Sequence, residues 1–334
     1  MDSLDLTLIA AGILVLGVFM YVLLDGFDLG VGILYPLAPS EHCRDLMMDS
    51  VAPVWDGNET WLVLGGTALL AAFPLAYAVL LPAFYIPLML MLIGLIFRGV
   101  CFEFRAQGGP SKGWWTTGFF AGSLLATIAQ GLVLGTFIQG VEVTGRQFSG
   151  DTLGWVSAFS FLCAAGLVCG YALLGAGWTI LKTEGITHDW AWTLVAPLTI
   201  LVLVVAVAVS LWTPFLHEWI MGRWFEWPRI LFVAPAPLAG LVLAGVLLRS
   251  ARSRNDKVPF LATLGLFLAS YYGLGVTLWP YVIPPNITIH DAASAPSAQA
   301  FVLVGLAVLV PVTLIYTAYS YWVFRGKVSG DAHY

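Results

Sequence analysis

The stretch that decides the fold is VLLDGFDLGVGIL, residues 22–34, in which two aspartates lie inside an otherwise apolar segment. Asp25 and Asp28 are three residues apart, so on a helix they share one face. Gly26 and Gly30 form a G-x-x-x-G spacing, which lets the backbone of a neighbouring helix approach closely. The stretch therefore predicts a helix that turns two acids and a small-residue surface toward its neighbours.

The composition of the chain indicates a membrane protein and not a soluble enzyme. Of its 334 residues, 60% are hydrophobic and only 10% are charged, and the mean hydropathy is +0.90. A soluble domain carries about 25% charged residues, so lipid must cover most of this surface. The formal net charge of −5 provides no basic footprint for nucleic acid. The first residues, MDSLD, lack the positive region of a secretory signal, so we expect the first apolar segment to be retained.

Apolar segments of about 20 residues, the length that spans a bilayer, recur along the whole chain. They predict an all-α, polytopic membrane protein with about nine transmembrane helices, in which residues 1–334 form one transmembrane domain. The boundary near Pro74 and Pro82 carries no charge, and fusing the second and third segments there would give eight helices. The predicted helices cover residues 6–35, 46–74, 82–104, 115–140, 154–181, 190–214, 229–249, 258–280 and 297–324.

The distribution of basic residues favours nine helices over eight. With nine, one side of the membrane receives Arg44, Arg105, Lys112, Lys182, Arg249, Arg252, Arg254, Lys257, Arg325 and Lys327, and the other receives Arg146, Arg223 and Arg229. Arg98 lies inside a predicted helix. The positive-inside rule then places the N-terminus in the periplasm and the C-terminus in the cytoplasm.

The histidines all fall in loops or at helix ends, at positions 42, 188, 217, 290 and 333. A haem inside the bilayer needs a histidine or another strong axial ligand at mid-span depth. We therefore expect no haem in this chain. The four cysteines form no C-x-x-C pair, and no metal site is predicted.

A second group of acids lies in the second predicted helix, in WDGNETW, residues 55–61. Asp56 and Asp25 each lie about ten residues, or roughly 15 Å, from the inner end of a predicted helix, so we expect them at similar depth. A charge at such depth costs at least about 2.5–3.5 kcal/mol, which suits groups that are paired, hydrated or exchanging protons. The hypothesis is a hydrated proton path from the cytoplasm, lined by Asp25, Asp28, Asp56, Glu59 and Arg98.

Two structural interpretations compete with the proton path. The first predicted helix is longer than a bilayer requires, which would let Asp25 and Asp28 sit at the inner headgroup level. The apolar run over residues 29–37 argues against that placement. In the second interpretation, Asp56 and Arg98 form a purely structural ion pair between helices.

These motifs resemble subunit II of the cytochrome bd-type quinol oxidases. The resemblance rests on DGFDLG at residues 25–30, WDGNETW at 55–61 and FRGVCFEFR at 97–105. It extends over the whole chain, through the WPY sequence at 279–281 and the final helix. Length and loop style are closest to the cyanide-insensitive branch.

The resemblance implies two four-helix bundles plus a peripheral helix, with no haem in this chain. It implies a heterodimer with a subunit I that holds haem b and haem d, oxidises quinol and reduces dioxygen to water. In the family, the acid of the W-D-G-N motif belongs to a proton path toward the oxygen-reducing haem, and here that acid is Asp56. Asp25, Asp28 and Arg98 match other polar positions, whereas Glu59 departs from a pattern in which an uncharged amide is common. The motif is completed by Trp55, Gly57, Asn58 and Trp61.

The resemblance also admits a structural quinone between helices and small accessory transmembrane subunits. It implies the inner (plasma) membrane of a bacterium. Two alternatives stay open beside the oxidase subunit that conducts protons. One is a proton-coupled secondary transporter, which also uses intramembrane acids and broken helices. The other is a subunit with a purely structural role.

Overall fold

The computed structural model describes residues 5–328, and most of them lie in helices, as the sequence predicts. The helices are α1 (Leu6–Leu34), α2 (Glu41–Val51), α3 (Trp55–Ala72), α4 (Pro74–Ala83), α5 (Tyr85–Ala106), α6 (Lys112–Gln139), α7 (Ala158–Lys182), α8 (Gly185–Trp212), α9 (Glu218–Phe225), α10 (Ile230–Val233), α11 (Pro235–Ser253), α12 (Lys257–Leu278), α13 (Ile289–Ala292) and α14 (Pro296–Val323). Two antiparallel hairpins pair β1 (Val143–Thr144) with β2 (Gln147–Phe148) and β3 (Tyr281–Ile283) with β4 (Ile287–Thr288).

Helix α1 begins and ends at signals that are visible in the sequence. The Asp5 side chain accepts hydrogen bonds from the backbone N–H groups of Thr7 and Leu8, which caps the helix. At the other end, Pro36 lies in the 3₁₀ turn Tyr35–Leu37, because proline does not continue an α-helix. Every residue from Asp25 to Leu34 is buried, whereas burial is mixed over the first half of the helix. The half that carries the two aspartates is therefore enclosed by other helices.

The long helices pack as two groups of four with one helix outside. In the first group α1 packs against α3 and α6, and α5 packs against α6. In the second group α7 and α11 each pack against α8 and α12. Helices α1 and α6 also contact α7, which joins the two groups, and α14 lies outside against α1 and α3. This is the arrangement that the resemblance implies.

The segment predicted as one helix over 46–74 is two helices, so that boundary was wrong. Helix α2 ends at Val51, and α3 begins at Trp55 after a three-residue break that contains Pro53. Proline removes a backbone donor and clashes with the preceding turn, which explains the break. The consequence is that Asp56 lies in the first turn of α3 and not ten residues inside a longer helix.

The predicted turn between Pro74 and Pro82 was also wrong, because helix α4 occupies it. Pro74 is at the start of α4, where the missing N–H has no intrahelical partner to lose, so it begins a helix and does not end one. The third long helix, α5, begins at Tyr85, three residues after the predicted start.

Within residues 5–328, eight helices are long and apolar enough to cross a membrane. Each lies in one of the nine predicted segments, and the remaining segment contains α3. Helix α3 has 18 residues but is not among the eight, because Asp56, Asn58 and Glu59 occupy its first two turns. Those polar side chains need protein or water as neighbours in place of lipid.

Ion pairs attach α2 to the end of α5 and the start of α6. Arg105 contacts Asp45 at 2.6 Å and Glu41 at 3.1 Å, and the Lys112 ammonium lies 3.0 Å from Asp45. Burial alone would raise the pKa of Asp45, but hydrogen bonds from Arg105 and Lys112 hold that pKa below its ordinary value. Two basic residues that were predicted on the same side of the membrane therefore meet at one end of the molecule.

Helices α1 and α7 approach closely at glycines. A Cβ atom on Gly30 would lie 1.8 Å from the backbone oxygen of Tyr171, and one on Gly175 would lie 2.3 Å from the backbone carbon of Gly30. A Cβ atom on Gly26 would lie 2.6 Å from the Tyr171 ring. The G-x-x-x-G sequence is therefore the surface on which α7 packs.

Replacing Gly30 with alanine is expected to destabilise the protein, because the new methyl group meets backbone that cannot move aside. Overpacking of this kind costs about 1–3 kcal/mol. Thermal unfolding of the purified complex should show a lower midpoint for Gly30→Ala. Gly12→Ala on the same helix is the matched control, because no atom lies within 4 Å of a Cβ at Gly12. Equal midpoints for the two variants would contradict the packing described here.

Candidate functional site

Arg98 of α5 is fully buried and forms the centre of a polar cluster. Its guanidinium forms an ion pair with Asp25 of α1 and lies 3.4 Å from the Glu59 carboxylate of α3. The guanidinium also lies 5.7 Å from the centre of the Trp55 ring. Arg98 therefore ties three helices together inside the first bundle.

Asp28 joins the same cluster through Asn58. The Asn58 amide donates to Asp28 Oδ2 at 2.7 Å and to the backbone oxygen of Leu24 at 3.3 Å. Asp28 and Asn58 are both buried. Helix α1 continues six residues beyond Asp28 to Leu34, so the cluster lies about 9 Å from that end of α1. The acids are enclosed by helices and are not at the helix end.

Further polar side chains extend the cluster beyond the residues that the sequence singled out. Tyr171 Oη donates to Gln130 Oε1 at 2.8 Å, and Gln130 Nε2 donates to Tyr21 Oη at 2.8 Å. Tyr321 Oη donates to Asn58 Oδ1 at 2.9 Å. The four added residues, Tyr21, Gln130, Tyr171 and Tyr321, lie on four different helices. Of these residues, only Gln130 stands out in the sequence, because it is a single amide in the apolar stretch 124–138.

The other residues of the W-D-G-N-E-T-W motif pack α3 against neighbouring helices. Trp61 Nε1 donates to Thr317 Oγ1 of α14 at 3.4 Å, and a Cβ on Gly57 would lie 3.1 Å from the Tyr316 ring. On the other side, the Trp55 ring stacks on Phe102 of α5 with centroids 5.0 Å apart. The motif thus fixes the position of α3, and with it the position of Asn58 and Glu59.

Asp56 is the predicted site residue that the structure leaves outside the buried cluster. Its side chain is exposed at the start of α3, and Arg98 pairs with Asp25 and Glu59. Arg98 therefore joins α5 to α1 and α3 through Asp25 and Glu59. The second structural interpretation, an ion pair between Asp56 and Arg98, does not describe this contact. Asp25, Asp28, Glu59 and Arg98 are brought together as expected.

Charge balance within the cluster is uneven, since three carboxyl groups share one guanidinium. Full ionisation of Asp25, Asp28 and Glu59 would leave two uncompensated negative charges in a region of low dielectric constant, which is costly. Several buried polar atoms, namely Asp28 Oδ1, Glu59 Oε1, Arg98 Nε and Arg98 Nη1, have no hydrogen-bond partner among residues 5–328. Buried polar groups require partners, and water is the one small enough to reach them. The arrangement suits carboxyl groups that hold and exchange protons with water.

The histidines that the structure describes lie at helix ends and in connections. His188 Nε2 contacts Asp256 at 2.9 Å, and His217 Nε2 contacts the backbone oxygen of Gln139 at 2.7 Å. His333 lies outside the described residues. In the part of the chain that the structure covers, no three His, Cys, Asp or Glu side chains are grouped so that they could hold a metal ion.

Known proteins resemble this chain over nearly its full length. The sequence model of the family described as "Cytochrome bd terminal oxidase subunit II" matches residues 6–324. "Probable cytochrome oxidase subunit 2" of Haemophilus influenzae is 29% identical, covering 92% of this chain and 91% of that protein. "Cytochrome bd-I ubiquinol oxidase subunit 2" of Escherichia coli strain K12 is 27% identical, covering 96% and 93%. The corresponding subunit of Bacillus subtilis is also 27% identical, covering 97% and 96%.

A solved structure shares the fold. One chain of the bd oxidase from Geobacillus thermodenitrificans superposes with a TM-score of 0.73 and covers 96% of this chain and 97% of its own. The two sequences are 17% identical, so this likeness concerns the fold alone.

Replacing Arg98 with glutamine is expected to lower the thermal stability of the purified protein markedly. Removing one partner of a buried ion pair costs about 3–5 kcal/mol, because it leaves the other charge uncompensated. The matched control is Arg229→Gln, since Arg229 forms an exposed pair with Glu226 at 3.1 Å, and such pairs contribute at most about 1 kcal/mol. The double variant Arg98→Gln/Asp25→Asn should recover part of the loss. Equal unfolding temperatures for the two single variants would refute the assigned role of Arg98.

Proposed function

Because the chain belongs to the cytochrome bd terminal oxidase subunit II family, we propose that it scaffolds a haem-bearing subunit I and forms part of a cytoplasmic proton path for oxygen reduction. The chain is a subunit of a membrane quinol oxidase, an oxidoreductase of the inner membrane. In this proposal, quinol oxidation and the reduction of dioxygen to water take place on subunit I. Family membership favours this function over a proton-coupled transporter.

The buried cluster is the observation that carries the proton path. Proton transfer needs groups that gain and lose protons within hydrogen-bonding reach of one another or of water. Asp25 and Asp28 supply such groups in the interior, and Glu59 connects them to the surface because its side chain is 28% exposed. Asp56 lies three residues before Glu59, on the same face of α3 and fully at the surface. Titratable groups thus continue from the surface of the chain to the buried guanidinium.

The exposed face of α3 supports the assignment of subunit I as the partner. Asp56, Thr60, Val63, Thr67 and Leu70 recur at helical spacing, and all of them are exposed in the isolated chain. Three of the five are polar, and a carboxylate facing lipid would be costly. We therefore place subunit I against this face. Protons from the cytoplasm would enter near Asp56, exchange with the buried cluster through Glu59 and continue toward subunit I along α3.

The remaining assignments follow from the same proposal. We assign haem b and haem d to subunit I, because each described histidine lies in a connection or within the first residues of a helix and not at the middle of a spanning helix. We place the N-terminus in the periplasm and the C-terminus in the cytoplasm. We treat residues 1–334 as one transmembrane domain, because α1 and α6 of the first bundle both pack against α7 of the second. A structural quinone, accessory subunits and the cyanide-insensitive branch stay predictions.

Quinol-dependent oxygen consumption by the assembled complex tests the proton path. We expect Asp25→Asn and Glu59→Gln to lower turnover by about a hundredfold, the lower end of what a positioned proton-transfer group contributes. Asp56→Asn should also lower turnover, because it removes the first group of the path. Glu142→Gln is the matched control, since Glu142 is an exposed carboxylate outside the helices, beside the β1–β2 hairpin.

The haem spectrum of each purified variant must match that of the parent complex, so that assembly is not the variable. Full turnover by an assembled Asp25→Asn variant would overturn the proton path and leave the scaffolding role standing.

A further inference from the structure

A chain of two hydrogen bonds that point the same way leads toward Asp25 and ends at Tyr21. Tyr171 Oη donates to Gln130 Oε1, and Gln130 Nε2 donates to Tyr21 Oη. The Tyr21 oxygen is thereby used as an acceptor, and its own hydrogen is left to donate. Asp25 lies one helical turn further along α1, so its side chain is on the same face of the helix as Tyr21. Because Asp25 Oδ1 accepts from Arg98, its other oxygen is available to Tyr21.

Asp28 ends a second chain with the same direction. Tyr321 Oη donates to Asn58 Oδ1, and Asn58 Nδ2 donates to Asp28 Oδ2. Each chain begins at a tyrosine and passes through a carboxamide. The second chain delivers a donor to the buried Asp28, and the first ends at the Tyr21 hydroxyl, one helical turn from the unpartnered oxygen of Asp25.

The direction of these chains has a chemical consequence. Donors aimed at a carboxyl group favour its ionised form, because hydrogen bonds to a charged acceptor are the stronger ones. A carboxamide has a fixed donor end and a fixed acceptor end and no titratable proton. A proton on Asp25 therefore has no titratable group beyond Tyr21 that it could reach through Gln130, and its exchange is directed to the side of Arg98 and Glu59.

We propose that Tyr21, Gln130 and Tyr171 are positioning residues that hold Asp25 ready to accept a proton and close the acid cluster toward the interior of this subunit. The proposal rests on the proton path described above. It adds residues of α1, α6 and α7 that do not touch the surface route along α3.

The titratable and charged groups that face Asp25 come from five helices. They are Tyr21 and Asp28 on α1, Glu59 on α3, Arg98 on α5, Tyr171 on α7 and Tyr321 on α14. Helix α6 contributes only the neutral Gln130. Arg98 and the acids are present in every variant whose pH profile is compared, so a change in pH dependence reports the hydrogen-bond chain itself.

The test is the pH profile of quinol-dependent oxygen consumption by the assembled complex. In Tyr21→Phe the donor is lost and the ionised carboxylate is less favoured, so the profile should move to higher pH by about one unit. Tyr271→Phe is the matched control, because the Tyr271 hydroxyl donates to the backbone oxygen of Val15 on the same helix α1 and does not lead to an acid. Its profile should coincide with that of the parent.

A second variant and a double variant test whether the residues act as one chain. Gln130→Leu should move the profile in the same direction as Tyr21→Phe. The double variant should shift it no further than Tyr21→Phe alone, because residues of one network are not additive. A sum of the two shifts would mean that Gln130 acts independently of Tyr21, which overturns the chain.

The outcomes separate this inference from the proton path. Unshifted profiles for Tyr21→Phe and Gln130→Leu, together with an inactive Asp25→Asn, would overturn the positioning role and leave the path intact. An equal shift in Tyr271→Phe would overturn the positioning role as well. Full activity of assembled Asp25→Asn would overturn the path, and with it the inference that rests on it.

Discussion

One buried guanidinium facing three carboxyl groups is the constraint on which the rest of the structure depends. The single positive charge of Arg98 cannot neutralise three ionised carboxylates on Asp25, Asp28 and Glu59. Bulk water does not solvate these charges as it would on the surface, because the cluster is enclosed by helices. A bilayer interior tolerates a cluster with excess acids only when the acids hold protons, accept directed hydrogen bonds or contact enclosed water. The structure supplies a directed donor from Asn58 to Asp28. In the proposed function, the excess of carboxyl groups holds exchangeable protons for oxygen reduction on the partner subunit.

The packing around the cluster follows from the need to bring the participating helices together. Glycines at 26, 30 and 175 let α1 and α7 meet at backbone distance, and this places the Tyr171 ring over the half of α1 that carries the aspartates. The break at Pro53 lets α3 begin at Trp55, so that Asn58 lies level with Leu24 and Asp28. Because of the break, α3 begins beside the cluster, and Asp56 and Thr60 in its first two turns are exposed.

The parts of this arrangement that the sequence could predict are those encoded by local patterns. Nine apolar segments were visible from composition, and the acid pairs were visible because a charge in an apolar helix is rare. The Pro53 break and helix α4 were missed because proline both ends and begins helices, and local sequence does not distinguish the two. The Tyr21–Gln130–Tyr171 chain was missed for another reason. Its members are isolated polar residues on three helices, and only the tertiary packing brings them together.

The most direct test of the central claim is an infrared measurement of protonated carboxyl groups in the assembled complex at neutral pH. The claim predicts a carbonyl stretching band of protonated carboxyl that shifts on exchange into heavy water and weakens in Asp28→Asn and Glu59→Gln, because three acids share a single cation. It also predicts that the band is unchanged in Glu142→Gln. If no band is lost in the cluster variants, the three carboxyl groups are all ionised, and the cluster is a structural ion network and not a store of protons.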